Sequence, residues 1–431
     1  MMRLVLAILV LFSPTLASSA NFYVDPVHGA HGNDGSSASP WKSLQRLFDD
    51  GMIESRDWNK LQYNSNSYLI PKNEGAPIKA GDTIFLRNGS YGELNITSYY
   101  NSSKITIVAD NGHNPVFRNI VVRSSRNWRL QGLTVNAAAF AFEDVRKLIS
   151  LESHDWTGPL DRITVKYCSV RSTNDSSGWS KNDWNTKAMD GISVSGKYMN
   201  VANNTLLNVD MGITVGASHS MIEYNVIENF AGDGLRGLGD FTTFQYNTVK
   251  NCYAVDSNHD DGFQSWSVGS NGKPGTGVVK GIVLRGNTII NYENPNQPFR
   301  GTLQGIGCFD GMFEDWIVEK NIVKVDHWHG ISLYGAINTI IRDNRVTDPN
   351  GKSNIGPPWI MLREHKNGTP SRNSEVSCNV APKYIVSSEP SILNQHNVVS
   401  ETGGPRDSRC PALHNITPAI LPILMDKKPK K

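Results

Sequence analysis

Residues 191–227 contain Gly191-Ile192-Ser193-Val194, then Asn204, then Gly212-Ile213-Thr214-Val215, then Asn225-Val226-Ile227. Both signals continue. Gly234-Leu235, Gly262-Phe263, Gly305-Ile306 and Gly330-Ile331-Ser332-Leu333 repeat the first. Asn247-Thr248-Val249, Asn287-Thr288-Ile289, Asn321-Ile322-Val323 and Asn344-Arg345-Val346 repeat the second. The Gly positions advance by 21, 22, 28, 43 and 25, and the Asn positions by 21, 22, 40, 34 and 23. Most steps are close to one coil of about 22 residues, and the long steps read as coils that carry an inserted loop. Each segment is a short strand of period 2 bounded by Gly, Asn and Asp. A strand that returns once per coil stacks in parallel on the same strand of the next coil, so the pattern predicts an all-β parallel β-helix. The Asn positions then stack as a ladder of buried amides, each bonded to the next.

Working outward, Thr83-Ile84-Phe85-Leu86, Ile105-Thr106-Ile107-Val108, Leu130 to Val135 and Ile163-Thr164-Val165 read as strands of the first coils. Residues 43–62 form the best helix candidate, with Leu44, Leu47, Phe48 and Ile53 apolar and Gly51 interrupting. A short helix there would cap the open N-terminal end of the solenoid. Met1-Met2-Arg3, the apolar run Leu4 to Phe12 and Ser18-Ser19-Ala20 read as a signal peptide over 1–20, which predicts a secreted or periplasmic protein. The run is too short to span a membrane, and no later stretch is long enough. The solenoid is expected over 21–385. An irregular tail with a basic end is expected over 386–431.

The chain has 431 residues, 39% of them hydrophobic and 19% charged, which excludes a disordered or collagen-like polymer. A formal net charge of +2, with basic residues concentrated in the last five positions, argues against a dedicated nucleic-acid binder. The five cysteines are spaced too widely for a zinc cluster. Cys378 and Cys410 are the expected disulfide, while Cys168, Cys252 and Cys308 are expected to pack in the core.

Asn21-Phe22-Tyr23-Val24-Asp25-Pro26, followed by Gly32-Asn33-Asp34-Gly35 and Pro40-Trp41-Lys42-Ser43-Leu44, resembles the opening of secreted right-handed β-helix proteins of the pectate-lyase-like superfamily. With the Gly and Asn repeats, the resemblance covers roughly 21–385. It implies a right-handed parallel β-helix that acts on or binds polysaccharide. The superfamily holds lyases, hydrolases, epimerases and non-catalytic members, so the fold leaves the chemistry open.

Aligned on Gly, the coils give a column of preceding residues, Asp190, Met211, Asp233, Asp261, Gln304 and His329. The column two after the Gly holds Ser193, Thr214, Arg236, Gln264, Gly307 and Ser332. Stacking at about 4.8 Å per coil brings Asp233, Arg236, Asp261, Gln264, Gln304 and His329 to one face. The richest stretch is His259-Asp260-Asp261-Gly262, with Trp266 beyond it. Asp233, Arg236, His259, Asp261 and His329 are therefore the catalytic candidates. Gln264, Trp266, Gln304, His327 and Arg363 are the substrate-binding candidates, and Lys366 is a further group within reach of the same cleft. Asp233, Asp260 and Asp261 resemble the calcium-binding coils of some β-helix lyases, which implies a Ca²⁺ site. The loop 171–187 carries Trp179 and Trp184; an exposed Trp suits stacking on sugar rings, although a single Trp more often packs in a core than serves as a platform.

These groups fit β-elimination on an acidic, uronate-containing polysaccharide, in which a base removes the proton beside a carboxylate that other groups neutralise. Two alternatives remain enzymatic. The Asp-Asp and His327-Trp328-His329-Gly330 segments are similar to the motifs of polygalacturonases, which are inverting hydrolases. C5-epimerisation of a uronan starts from the same proton abstraction as elimination. A non-catalytic carbohydrate-binding β-helix is the alternative from another class.

Overall fold

The computed structural model describes residues 19–140, 146–351 and 356–411. The expected signal peptide lies outside the described residues apart from Ser19 and Ala20, as does the basic end, Lys427 to Lys431.

Short strands are wound into a parallel β-helix with three faces. The first face is a 13-stranded sheet that begins with Asn21–Val24 and Thr83–Leu86 and ends with Leu393–Gln395. The second and third faces belong to one 21-stranded sheet. The second face includes Asp190–Val194, Leu235–Gly237, Asp261–Trp266, Gln304–Asp310 and His329–Tyr334. The third includes Thr205–Val209, Val226–Phe230, Thr248–Cys252 and Thr288–Ile290. Stacking continues past the expected boundary at residue 385. Leu393–Gln395 pairs with Glu375–Ser377, and Val398–Val399 pairs with Val380–Ala381.

Alternation explains the core. On the second face Ile192, Ile213, Leu235, Phe263, Ile306, Ile331 and Ile360 stand in one file, each no more than 1% exposed. No single coil can bury such a face, so the stack itself supplies the hydrophobic stabilisation.

The Asn ladder runs from Asn204 through Asn225, Asn247, Asn287, Asn321 and Asn344, and on to Asn379 and Asn397. At each step the amide Nδ2 donates to the next Oδ1 and to a strand carbonyl, as Asn287 does to Asn321 (3.0 Å) and to Phe244 O (2.9 Å). The same Oδ1 also accepts the backbone N–H of the preceding Asn. Residues just before the ladder positions, such as Tyr224, Tyr246 and Asp343, have φ of 54–58°, so a left-handed turn delivers the amide into the interior.

The helix expected over 43–62 is confined to Leu44–Asp49. Ser43 caps its start, and Gly51 at φ 68° ends it. Leu44, Leu47 and Phe48 are buried against the first coils, with Phe48 on the rings of Tyr99 and Trp128. Beyond it an antiparallel pair, Ser55–Trp58 with Leu69–Lys72, replaces further helix. Cys378 and Cys410 form a disulfide, and Cys168, Cys252 and Cys308 are buried and free, as expected.

Replacing Asn287 by Leu strands the groups that Asn287 pairs on both neighbouring coils. Unfolding free energy from denaturant titration is expected to fall by at least about 3 kcal/mol. Asn397→Leu, at the partly exposed end, is expected to cost clearly less; equal losses would remove the buried ladder as the cause.

Candidate active site

The second face carries the predicted columns in register. Thr214, Arg236, Gln264, Gly307 and Ser332 are successive partners, and Asp261 stands opposite Gln304. A local rule recurs here: the side chain before the Gly folds back onto the side chain three residues later. Asp233 Oδ2 accepts from Arg236 Nε (3.0 Å) and Nη2. Gln264 Nε2 donates to Asp261 Oδ2 (2.8 Å). His329 Nδ1 lies 2.9 Å from Ser332 Oγ, which also accepts Trp359 Nε1–H (3.1 Å). The coil of Gln304 breaks the rule because its third position is Gly307. The Gln304 Oε1 and Asp261 Oδ1 atoms are both buried without a hydrogen-bond partner. Asp261 Oδ1 and the Phe309 ring occupy the space that a Cβ on residue 307 would need.

A groove of about 310 Å³ opens over this face, lined by Gln264, Ser265, Trp266, Pro274, Phe309 and Asp310. Arg236 lies across the Trp266 ring, 4.7 Å from its centroid. Phe309 makes an edge contact with His329 at 4.8 Å. Lys366 pairs with Asp310 (2.8 Å) and sits 5.9 Å from the Phe309 centroid. Arg236, Trp266, Phe309, His329 and Lys366 thus form one continuous strip.

Several expected groups take other places. Asp233, Asp260 and Asp261 are 1%, 4% and 0% exposed. Burial, then the Asp233 charge, pushes the Asp261 carboxyl well above the usual range. Burial also raises Asp233, against the pull of Arg236, so Asp261 is the member of the pair that keeps a proton. Asp260 accepts from Asn258 Nδ2 (3.0 Å) and Cys252 Sγ (3.4 Å), and burial raises it to about 7. The three carboxyls do not fit the Ca²⁺ site expected of them: among the described residues no three such groups converge to hold an ion, and Asp233 is taken by Arg236. His259 is exposed and neighbours His327 rather than the buried Asp pair. His327 stacks on His329 at 5.2 Å. Arg363 pairs with Glu364 (3.1 Å) instead of entering the groove. Trp184 is 1% exposed and packs with Trp179, Tyr253 and Phe299 in a small separate core, so it is no sugar platform.

Both neighbouring imidazoles are pushed down to about 4. For His329 the cause is burial, then the charges of His327 and Lys366; for His327 it is burial, then His259. His329 is therefore neutral at pH 7. Its Nε2 has no hydrogen-bond partner among the described residues. Phe309 and Asp310 escaped sequence reasoning, although Phe309 is two residues beyond Gly307 in the strand alternation.

Residues 190–376 match a family model described as a right-handed β-helix region. The strands of these residues, and those that continue the stack on either side, are wound as a parallel β-helix. A comparison with curated protein sequences finds no match. Among solved structures, the chain is similar to a mannuronic acid specific polysaccharide family 6 lyase from human gut microbiota, at 14% identity and TM-score 0.46, over 88% of this chain and 87% of that one. It is also similar to a GH136 lacto-N-biosidase from Eubacterium ramulus, at 11% identity and TM-score 0.46, over 88% and 68%. A third is the A-module of a mannuronan C-5 epimerase from Azotobacter vinelandii, at 13% identity and TM-score 0.44, over 76% and 88%. At such identities the likeness concerns the fold alone.

The buried acids have a measurable signature. Folded Asp260 keeps its proton up to about pH 7, whereas an unfolded Asp releases it near 3.8. Its contribution to stability is therefore complete below about pH 4 and is lost as pH rises to 7, a total of about 3–4 kcal/mol. His327 and His329 act oppositely, losing stability as pH falls from about 6.5 to 4. Asp260→Asn isolates the acid: its Tm relative to the parent protein is expected to climb between pH 4 and 8. A difference flat in pH would overturn the assignment.

Proposed function

We propose that this chain is an exported polysaccharide lyase that cleaves an acidic, uronate-containing polymer by β-elimination. One observation carries the reading: a neutral imidazole, His329, stands beside an open groove flanked by the cations Arg236 and Lys366, while Asp233, Asp260 and Asp261 are buried.

In the tautomer whose Nδ1–H donates to Ser332 Oγ, Nε2 presents a free lone pair. That lone pair takes the proton from the carbon next to the uronate carboxyl. The C–H electrons form the ring double bond, the glycosidic C–O bond breaks, and the leaving oxygen takes a proton from water, which the His329 imidazolium then restores. The carbanion-like transition state places charge on the uronate carboxyl, where Arg236 and Lys366 supply neutralising charge. The Asp310 partner of Lys366 is about half exposed, so a substrate carboxylate can exchange for it. Trp266 and Phe309 offer apolar surface to the sugar rings. Buried Asp233 and Asp261 act as positioning residues, one for Arg236 and the other for Gln264.

Inverting hydrolysis asks for two carboxyl groups that reach water and substrate. The burial of Asp233 and Asp261 speaks against it. Export is supported by the Cys378–Cys410 disulfide, which suits an oxidising compartment, and by the leader-like N-terminus.

The test incubates purified protein with polygalacturonate, polymannuronate and polyguluronate, with Ca²⁺ and with chelator, and follows the ultraviolet absorbance of the unsaturated ring. A rise on a polyuronate is expected, and His329→Ala is expected to lower kcat by about 10²–10⁴-fold. Reducing ends without absorbance would replace elimination by hydrolysis. Altered uronate composition without chain cleavage would replace it by epimerisation, and binding without turnover would leave a non-catalytic β-helix.

A further inference from the structure

On the first face, toward the N-terminal end and away from the groove, four cations crowd together. Arg129 stands between Thr106 and Thr164 in register. Lys104 crosses the Arg129 coil, and its ammonium bonds Thr164 Oγ1. Arg162 and Lys166 flank the same spot. The carboxylate that offsets Lys104 is Asp161, which is engaged by Arg162 (2.5 Å) and by Arg126 (3.1 Å). Among the described residues, Lys104, Arg129 and Lys166 have no carboxylate partner, and Arg129 Nε is buried without a hydrogen bond. The crowding has an electrostatic cost: burial, then the charges of Arg129, Arg162 and Lys166, pushes Lys104 down to about 8. Like charges held this close call for an anion.

The cations also rest on aromatic rings. Arg162 lies 4.7 Å from the Tyr198 centroid, and Lys166 lies 5.3 Å from that of Tyr167. Tyr198 and Tyr167 are 46% and 56% exposed. From Tyr198 a row of rings continues along the solenoid axis to His219 (5.4 Å) and Phe241 (5.1 Å).

We propose that this basic and aromatic patch is a second, non-catalytic binding site for an acidic polysaccharide, whose carboxylate or sulfate groups engage Lys104, Arg129 and Lys166 while its sugars lie along the Tyr198–His219–Phe241 row. A lone sulfate or phosphate would satisfy the charges but leave the row of rings unused. The site shares with the proposed lyase reading only the class of ligand. Its test reads binding apart from turnover, so the two fail separately.

The test is affinity electrophoresis and calorimetry with polygalacturonate and polymannuronate, in a His329→Ala background so that the polymer is not consumed. The triple variant Lys104→Gln, Arg129→Gln, Lys166→Gln is expected to bind at least tenfold more weakly, with a shallower dependence on salt because fewer counterions are released. In the active protein, the same three changes are expected to leave turnover of short oligouronates unchanged. Lys166→Gln alone and Tyr198→Ala, each checked for an unaltered Tm, are expected to weaken binding a few-fold and guard against misfolding of the triple variant. Undiminished binding by the variants would overturn the proposal. So would equal affinity for neutral dextran, or equal displacement by DNA or by vesicles rich in anionic lipid, which would make the patch a general polyanion surface.

Discussion

The buried amide-to-amide hydrogen bond between Asn side chains of successive coils is the constraint from which the remaining geometry follows. An amide has two donors and two acceptor sites, and each interior Asn of the ladder uses them all on neighbouring coils. A one-residue slip of any coil would leave these groups unpaired in an apolar interior, which is far more costly than loss of a surface contact. The ladder therefore locks the register at one corner. Because register is locked there, the strands of the second face arrive in line, and side chains distant in sequence share a surface.

The groove is a product of that alignment together with one omission. Three coils fold the residue before the Gly back onto the third residue after it, which ties Asp233 to Arg236, Asp261 to Gln264 and His329 to Ser332. The coil between the last two has Gly307 at the receiving position, and the Asp261 carboxyl and the Phe309 ring converge on that space. The acids are thereby drawn inward, Asp233 onto Arg236 and Asp261 with its proton, whereas the imidazole and the cations remain at the edge of the groove. This division of charge distinguishes the chemistry proposed for this face from the two-carboxylate arrangement of an inverting hydrolase.

Much of this was legible in the sequence. The step of about 22 residues between Gly191, Gly212 and Gly234 sets the coil, and the columns read from it coincide with the strand pairing. Legibility ended where depth mattered. A string of Asp residues at a strand entrance looks the same whether the carboxyls face water or turn inward, so the burial of Asp260 and Asp261 was hidden, and with it the failure of the calcium trio. Asn397 continues the ladder beyond residue 385, but its step of 18 residues from Asn379 is shorter than the period, so the last rung did not stand out in the sequence. The choice between platform and packing at Trp184 was open for a related reason: its burial depends on Tyr253 and Phe299, contributed by distant loops.

The segment after Val399 returns along the last coils. Arg345 Nη1 donates to Gly403 O and to Gly404 O, Arg406 pairs with Asp343, and Cys410 is joined to Cys378. A stack held by nearest-neighbour contacts ordinarily unzips from either end with similar ease. Here the C-terminal rungs are laced to one another through the side, partly by a covalent bond, so a pulling force or a protease cannot peel them off singly. Unravelling acquires a direction: it must start from the N-terminal helix or from an exposed loop, and reduction of one bond would open the other end.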